Sequence, residues 1–240
     1  MLRYALSLIF IVGMLVGAPR QEAWASSTIG PGALQPILEV LDKAKLSGSL
    51  EFTGWYEPGY PRYFPQFHSP AMSEGTPLQI LRDMFADNLA VRVTQDSDGT
   101  IRMIENGVLA DLLNVRISHI SFDGYGSHTA NEEAGEYTPN GALYVILQAP
   151  EVVAFMKARG IATPTGGGAV PGGVAPMTHR LPHISGSMDD LTLAEALDRV
   201  LKTFPGLWIY KSCARNDTKK RVIYIRFYQL QRIGSQVIVQ

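Results

Sequence analysis

A helix start followed by two short strands occurs twice in this chain, and this repeat limits the possible folds more than any other feature. The first copy begins at Thr76-Pro77-Leu78-Gln79 and the second, 116 residues later, at Thr192-Leu193-Ala194-Glu195. A threonine followed three residues later by Gln or Glu has the spacing of a capping box, which marks a helix start. In both copies two strand-like runs joined by a polar turn follow, which indicates a β-hairpin. We therefore expect an α+β fold with two small strand-helix-hairpin units.

The apolar positions of the two copies also correspond. On the helices they are Ile80, Leu81, Met84 and Phe85 in the first copy and Ala196, Leu197, Val200 and Leu201 in the second. The strands are predicted at Ala90–Thr94 and Ile101–Glu105, and again at Leu207–Ser212 and Arg221–Leu230. Apolar residues at this spacing line one face of a helix, so each helix should pack on its own hairpin.

Other elements surround the two copies. A helix is predicted from Leu34 to Lys45 and a strand at Ser49–Thr53. A middle α/β region holds a strand at Asn114–Phe122, a segment at Ala142–Gln148 that fits either a strand or a helix, and a helix at Pro150–Arg159. Residues 162–182 are dense in glycine and proline, which predicts a flexible linker. This linker separates an N-terminal α+β region (26–161) from a C-terminal α+β unit (183–240).

Residues 1–25 have the three parts of a secretion signal. Arg3 supplies the positive start, Ala5 to Gly17 form a 13-residue apolar run, and Ala23-Trp24-Ala25 fits the small-x-small cleavage pattern. A helix of that length is about 20 Å long, too short for a bilayer core of about 30 Å. We predict cleavage after Ala25 and a periplasmic or otherwise exported chain without a membrane span.

The second copy resembles a known family. The stretch LTLAEALDRVLKTFPGLWIYKS, followed by RVIYIRFY, is similar to the short N-terminal module of secretins and TonB-dependent receptors. The matching residues are Thr192, Leu193, Glu195, Ala196, Leu197, Gly206, Leu207, Ile209 and Tyr210, and the first copy matches more loosely through Pro77–Phe85 and Val91–Val93. The resemblance implies a small envelope domain that docks on other proteins and performs no chemistry. No pore-forming region or barrel follows it here, so it implies a stand-alone relative.

Residues able to perform catalysis or bind metal do not form a recognised pattern. Cys213 is the single cysteine, so an internal disulfide is impossible, and a buried thiol or an intermolecular disulfide remains. His179 and His183 have the i, i+4 metal spacing, but Pro182 between them disfavours the helix this spacing needs. His119 lies on a predicted strand, where a packed or hydrogen-bonded core position is expected. We therefore predict no metal site and no cofactor.

Acidic pairs and glycine clusters give no support for an enzyme either. Glu132-Glu133 and Asp189-Asp190 are adjacent residues in polar segments, where carboxylates face solvent, whereas acid-base catalysis needs two carboxylates at a controlled separation. The clusters Gly166–Gly168 and Gly172-Gly173 do not stand between a strand and a helix, as a phosphate-binding loop would. The chain is therefore predicted not to be an enzyme.

Charge is distributed unevenly along the chain. Residues 26–198 carry 10 basic and 20 acidic side chains, whereas residues 199–240 carry 9 basic and 1 acidic. Such asymmetry indicates either an electrostatic surface for an anionic partner or a basic segment that faces the acidic body of the same chain. No nucleic-acid-binding pattern accompanies it.

Two functional hypotheses from different classes follow. The first is an exported, non-catalytic interaction or scaffold module of the cell envelope, with another envelope protein as partner. The second is a periplasmic glycan-binding protein or enzyme that uses the aromatic loop at residues 52–67, with peptidoglycan as ligand.

The partner-binding face is predicted on the second hairpin. Side chains alternate along a strand, which would place Leu207 and Ile209 under the second helix. The opposite face would then carry Trp208, Tyr210, Tyr224, Arg226 and Tyr228. Trp, Tyr and Arg are enriched at binding sites because they combine a large contact area with a polar group. This face is either external or an internal contact with the rest of the chain.

Overall fold

The computed structural model describes residues 31–56, 65, 67–68, 75–123, 138–163, 182–215, 220–233 and 236–239. The predicted signal peptide lies outside the described residues. So do most of the aromatic loop and all of the 162–182 segment except its ends.

The described residues form five α-helices and nine strands. The helices are α1 (Gln35–Ala44), α2 (Pro77–Met84), α3 (Pro139–Leu147), α4 (Pro150–Ala158) and α5 (Leu193–Thr203), with short 3-10 helices at Pro31–Leu34 and Asp111–Asn114. The strands are β1 (Gly48–Tyr56), β2 (Val91–Gln95), β3 (Ile101–Glu105), β4 (Arg116–Ser121), β5 (Ser187–Thr192), β6 (Leu207–Arg215), β7 (Arg221–Tyr228), β8 (Leu230–Ile233) and β9 (Gln236–Val239). The predicted α+β class is confirmed.

A central five-stranded sheet has the order β2-β3-β1-β6-β7. Its middle strands β3, β1 and β6 are parallel, whereas β2 and β7 are antiparallel edge strands. Two further antiparallel pairs, β4–β5 and β8–β9, lie outside this sheet. The middle strand β1 is covered on both sides, since every residue from Gly48 to Phe52 is buried.

The two predicted regions, 26–161 and 183–240, share this sheet. Strand β1 of the first pairs with β6 of the second over its whole length, from Gly48 opposite Leu207 to Tyr56 opposite Arg215. The residues between 162 and 182 therefore connect two halves of one sheet, and the expectation of two separately packed regions is wrong. Sequence patterns predict local elements, but a parallel pairing between such distant strands leaves no local signal.

Helices cover both faces of the sheet, which we name after the helices that cover them. The α1 face carries Leu50, Phe52, Leu207 and Ile209, and it packs against apolar residues of α1 and α2. The α5 face carries Ser49, Glu51, Trp208 and Tyr210, and its hydrophobic core includes residues of α3, α4, α5 and the β4–β5 pair.

The two predicted capping boxes differ in the structure. At α5 the box is complete: Thr192 Oγ1 accepts the Glu195 N–H at 3.2 Å, and the Glu195 carboxylate accepts the Thr192 N–H at 2.7 Å. At α2, Thr76 Oγ1 accepts the Gln79 N–H at 3.2 Å, but the Gln79 amide donates to Asp83 at 2.7 Å. The side-chain amide of a glutamine can donate to a residue one turn further along the helix instead of contacting the residue that caps it.

The structure decides one segment that the sequence left undecided and adds two features that were not predicted. The segment that fits either a strand or a helix is helix α3. The acidic stretch around Asp189-Asp190 is strand β5, which pairs with β4 and buries Met188 while both aspartates face out. The C-terminal pair β8–β9 was also not predicted; Leu230 and Val239 pack against the core on the α1 face.

Candidate functional site

The five residues of the predicted partner-binding face do not share one face of the hairpin. In the β6–β7 register Trp208 lies opposite Phe227, and Leu207 lies opposite Tyr228. Even-numbered residues of β6 therefore share a face with odd-numbered residues of β7. The prediction placed even-numbered residues of both strands together, and a register shifted by one residue moves every side chain of a strand to the other face.

Three of the five residues are inside the protein. Trp208 and Tyr210 are fully buried on the α5 face, in the same core as Leu197 and Val200 of α5. Tyr228 is buried in the other core with Leu207 and Ile209. The prediction that α5 packs on Leu207 and Ile209 is therefore wrong, and so is an external role for these three aromatic residues. Of the remaining two, Tyr224 is half-buried and Arg226 is exposed.

Trp208 belongs to a buried ionic network that joins α5 to the sheet. Its indole N–H donates to Asp198 of α5 at 2.8 Å. The same carboxylate accepts two hydrogen bonds from the guanidinium of Arg102 on β3. Arg102 also donates from Nε to Asp96 at 2.7 Å and lies 5.6 Å from the centre of the Trp208 ring. Burial lowers the pKa of Arg102, but Asp198 and Asp96 outweigh it, so the net pKa is raised and the cation is retained.

Glu51 of β1 lies on the same face of the sheet as Arg102 and Trp208, two residues beyond Ser49. Only 6% of this residue is exposed, and Ser49 donates its hydroxyl hydrogen bond to it at 3.3 Å. Burial raises the pKa of the Glu51 carboxyl, and the nearby Arg102 opposes that effect. A buried carboxyl with a perturbed pKa is often found at functional sites, but it is equally a feature of structural ion networks.

A second network fixes the loop that precedes β4. The Tyr210 hydroxyl donates to the Leu109 carbonyl at 2.8 Å and accepts from Arg221 at 2.6 Å. Arg221 also pairs with Asp111. Burial raises the pKa of Tyr210, with Arg221 acting in the opposite direction. In both networks these polar atoms are hydrogen-bonded to other residues of the same chain, so the side chains hold elements of the fold together.

The basic C-terminal segment partly faces the acidic body of the chain. Arg221 pairs with Asp111, and Arg232 of β8 pairs with Asp42 of α1 at 2.9 Å. These contacts support the second of the two interpretations of the charge asymmetry, at least for these two arginines.

Cys213 and Lys211 lie on the α1 face of β6. Lys211 is buried, with Nζ 5.8 Å from the centre of the Phe52 ring. Its stem crosses β1 at Gly54, where an added Cβ would lie 2.3 Å from Lys211 Cε. Cys213 is buried, and burial raises the pKa of its thiol. A thiol with a raised pKa is rarely ionised and is a poor nucleophile.

His119 is exposed, so the expected core position is wrong. Its Nδ1 lies 2.6 Å from Asp189 Oδ1, and the Ser187 hydroxyl donates to the other oxygen of Asp189 at 3.0 Å. The serine therefore contacts the carboxylate and not the imidazole, which differs from a Ser-His-Asp triad. Asp190 pairs with Arg116. Within the described part of the chain, no three His, Cys, Asp or Glu side chains are grouped to hold a metal ion.

The outer surface of α3 and α4 is an exposed apolar region that the sequence analysis did not single out. Tyr144 of α3 is 60% exposed and Val153 of α4 is 41% exposed. Helix α4 fully buries only Val152. We call the following exposed residues the α3–α4 surface: Tyr144, Val153, Ala154, Lys157, Ala158 and Arg159. An exposed helix face is normally polar, and the sequence PEVVAFMKA, in which Glu151 and Lys157 are the only charged residues, was the available signal.

The charges on the α3–α4 surface are both positive. Lys157 and Arg159 are exposed, and Arg159 lies 5.4 Å from the centre of the Phe155 ring. Glu151, the single acidic residue of α4, is directed to β4, where it accepts the Ser118 N–H at 3.1 Å. The Ser118 hydroxyl also donates to it and lowers the pKa of this carboxyl. Between residues 138 and 163, all of which are described, this surface therefore has two cations and no exposed carboxylate.

The helices of the described part of the chain are short. None of these helices is, by itself, long and apolar enough to cross a bilayer. Helices α3 and α4 taken together have the length and apolar composition of a membrane span, but they are bent by 66° at the break between them. The apolar residues Ala142, Leu143, Val145 and Ile146 of α3 are buried in the core on the α5 face.

Comparison with protein-family models, curated proteins and solved structures found no match to this chain. The resemblance of the Thr192–Tyr210 segment to the short N-terminal module of secretins and TonB-dependent receptors stays a prediction. The glycan-binding or enzymatic role of the aromatic loop also stays a prediction, because most of residues 52–67 lie outside the described residues.

Proposed function

We propose that this chain is an exported, non-catalytic envelope protein that acts as an interaction module and docks on another envelope component through the α3–α4 surface. The observation that carries the proposal is the exposure of apolar side chains on two consecutive helices, Tyr144 on α3 and Val153 on α4. A contiguous apolar surface rimmed by polar residues is typical of interaction sites.

Each edge strand of the central sheet has main-chain groups that are already hydrogen-bonded on its outer side, which favours a helix surface over strand addition as the docking mode. On β7 the Ile223 N–H donates to the Ala162 carbonyl at 2.9 Å, and the Phe227 N–H donates to the Asn140 side chain at 3.3 Å. On β2 the Val93 carbonyl accepts from Arg82 at 3.2 Å. An edge strand covered in this way offers fewer main-chain groups to an incoming strand.

Site-specific photo-crosslinking in intact cells tests the docking surface. A photoreactive phenylalanine analogue is placed at position 153 or 144, and the matched control carries it at Leu89, which is 89% exposed on a different part of the chain. We expect a discrete adduct from positions 153 and 144 that is lost when Lys157→Glu is added. No adduct, or the same adduct from position 89, would show that the α3–α4 surface is not a docking site for another protein.

Export is tested separately by N-terminal sequencing of the chain from the envelope fraction. Cleavage after Ala25 gives Ser26 as the first residue, and a chain found only in the cytoplasm would contradict the proposal. The control is a chain with Ala23→Arg and Ala25→Arg, in which the small-x-small pattern is destroyed and processing should stop.

A further inference from the structure

We infer that the component bound by the α3–α4 surface is an anionic lipid surface, and this inference rests on the proposed function. The exposed positions continue from one helix to the next, because Tyr144 is followed by exposed Gln148 and Pro150 at the bend and then by Val153 and Ala154. We call the exposed apolar side chains of the two helices, Tyr144, Val153 and Ala154, the ridge.

The charges of the ridge select the chemistry of its partner. Lys157 lies one turn beyond Val153 and Ala154 on the same side of α4, and Arg159 follows at the end of the helix. The single carboxylate of α4, Glu151, is turned to Ser118 of β4 and away from the ridge. An apolar helix surface with cations and no exposed carboxylate is attracted to anionic lipid headgroups.

The exposed tyrosine of the ridge also fits a lipid surface. Tyr144 has an apolar ring and a polar hydroxyl, a combination that suits the boundary between acyl chains and headgroups.

Flotation of the chain with lipid vesicles tests the inference. The chain as purified from the envelope of producing cells is mixed with vesicles of phosphatidylcholine alone or of equal parts of phosphatidylcholine and phosphatidylglycerol. We expect binding to the anionic vesicles only. The double variant Lys157→Gln/Arg159→Gln should bind about 25-fold more weakly, since each cation near an anionic surface strengthens binding about fivefold.

Two matched variants make the result specific. Arg199→Gln/Lys202→Gln removes two exposed cations from α5 and should float like the original chain. Val153→Gln should weaken binding, whereas Leu89→Gln, at an exposed leucine outside the ridge, should not. Equal loss from both double variants would mean unspecific charge attraction and would overturn the inference.

The vesicle and crosslinking results are separable. Absence of binding to anionic vesicles, with a protein adduct still formed from position 153, would overturn the lipid partner and leave the docking surface in place with a protein partner. Binding to anionic vesicles that depends on Lys157, Arg159 and Val153 supports the inference whether or not a protein adduct forms. Absence of both signals would overturn the lipid partner and the docking surface together.

Discussion

The two faces of the central sheet are closed by different kinds of contact. The α1 face is lined at its centre by Leu50, Ile101, Met103, Leu207 and Ile209, which meet the apolar stripes of α1 and α2. The α5 face instead carries Arg102 and Glu51 beside Trp208 and Tyr210. Apart from Lys211 on β6, one side of the sheet is thus assembled by apolar volume, and on the other side buried polar atoms must also meet their partners.

The difference determines what each face specifies. Apolar contact has no preferred direction, so it stabilises a helix on the α1 face with some freedom in its exact position. On the α5 face Asp198 must reach Arg102 and Trp208 at the same time, which fixes the position of α5 along the sheet. Buried ion pairs contribute little net stability because of desolvation, but a broken pair leaves a buried charge and is costly.

Removing the carboxylate of Asp198 is expected to have the largest effect on stability. Asp198→Ala leaves the Arg102 guanidinium buried without its main partner and the Trp208 N–H without an acceptor. We expect the free energy of unfolding, measured by urea denaturation, to fall by about 3–5 kcal/mol. Asp96→Asn is the matched control, since Asp96 is half exposed and contacts the same arginine; it should cost about 1 kcal/mol or less. Equal losses from the two variants would remove the distinction between the faces.

A cavity on the α1 face is expected to have the next largest effect. Leu50 is fully buried between β3 and β6, so Leu50→Ala should lower the free energy of unfolding by about 3 kcal/mol. Leu50→Met keeps the volume and should cost less than about 1.5 kcal/mol, because an apolar contact tolerates a change of shape. A Leu50→Met loss as large as that of Leu50→Ala would show that the α1 face is as specific as the α5 face.

Local features were predictable and the pairing of distant strands was not. The threonine at position 192 and its glutamate at 195 predicted the start of α5, and its four predicted apolar positions, Ala196, Leu197, Val200 and Leu201, are all buried. The side of the hairpin that α5 covers depends on the β6–β7 register and on Asp198. Because Asp198 is charged, the apolar pattern of α5 predicts that this residue faces solvent, whereas it is buried. Arg102 gives the same difficulty, because a charged residue between Ile101 and Met103 is expected to face solvent.

The candidate site illustrates a second limit of sequence patterns. The helix α4 was predicted nearly to its observed bounds, but which of its apolar residues would stay exposed depends on how much of it the core can cover. Trp208 and Tyr210 show the converse: their residue types fit a binding site, yet their polar atoms bond inside the protein, to Asp198 and to the Leu109 carbonyl. Residue type alone does not separate these cases.

A single hydroxyl on the α5 face allows a finer test of the comparison. Tyr210→Phe keeps the ring and removes the group that donates to the Leu109 carbonyl and accepts from Arg221. We expect the free energy of unfolding to fall by about 1 kcal/mol, the usual contribution of one buried hydrogen bond. Tyr144→Phe, at an exposed tyrosine, should change it by less than about 0.5 kcal/mol. A Tyr210→Phe variant as stable as the original chain would mean that the loop before β4 is held by Arg221 and Asp111 without the tyrosine.

The smallest expected effect is a dependence of stability on pH that arises from Glu51. Burial raises the pKa of this carboxyl above its ordinary value of 4.5. The folded chain therefore keeps the Glu51 proton to a higher pH than the unfolded chain does. The stabilising contribution of Glu51 is complete below pH 4.5 and is lost as the pH rises through the raised pKa. Glu51→Gln resembles the protonated form at every pH, so the variant should be the more stable protein at pH 7 and should differ little from the original chain at pH 4.

Carboxyls whose pKa is lowered, such as Asp42 and Asp98, change stability in the opposite direction, but they are present in both proteins and cancel in the difference. Thermal denaturation of both proteins from pH 4 to pH 7, with Glu39→Gln on the exposed side of α1 as control, measures that difference. A constant difference across this range would mean that Glu51 is ionised in the folded protein as readily as in the unfolded chain, and that the α5 face solvates it as well as water does.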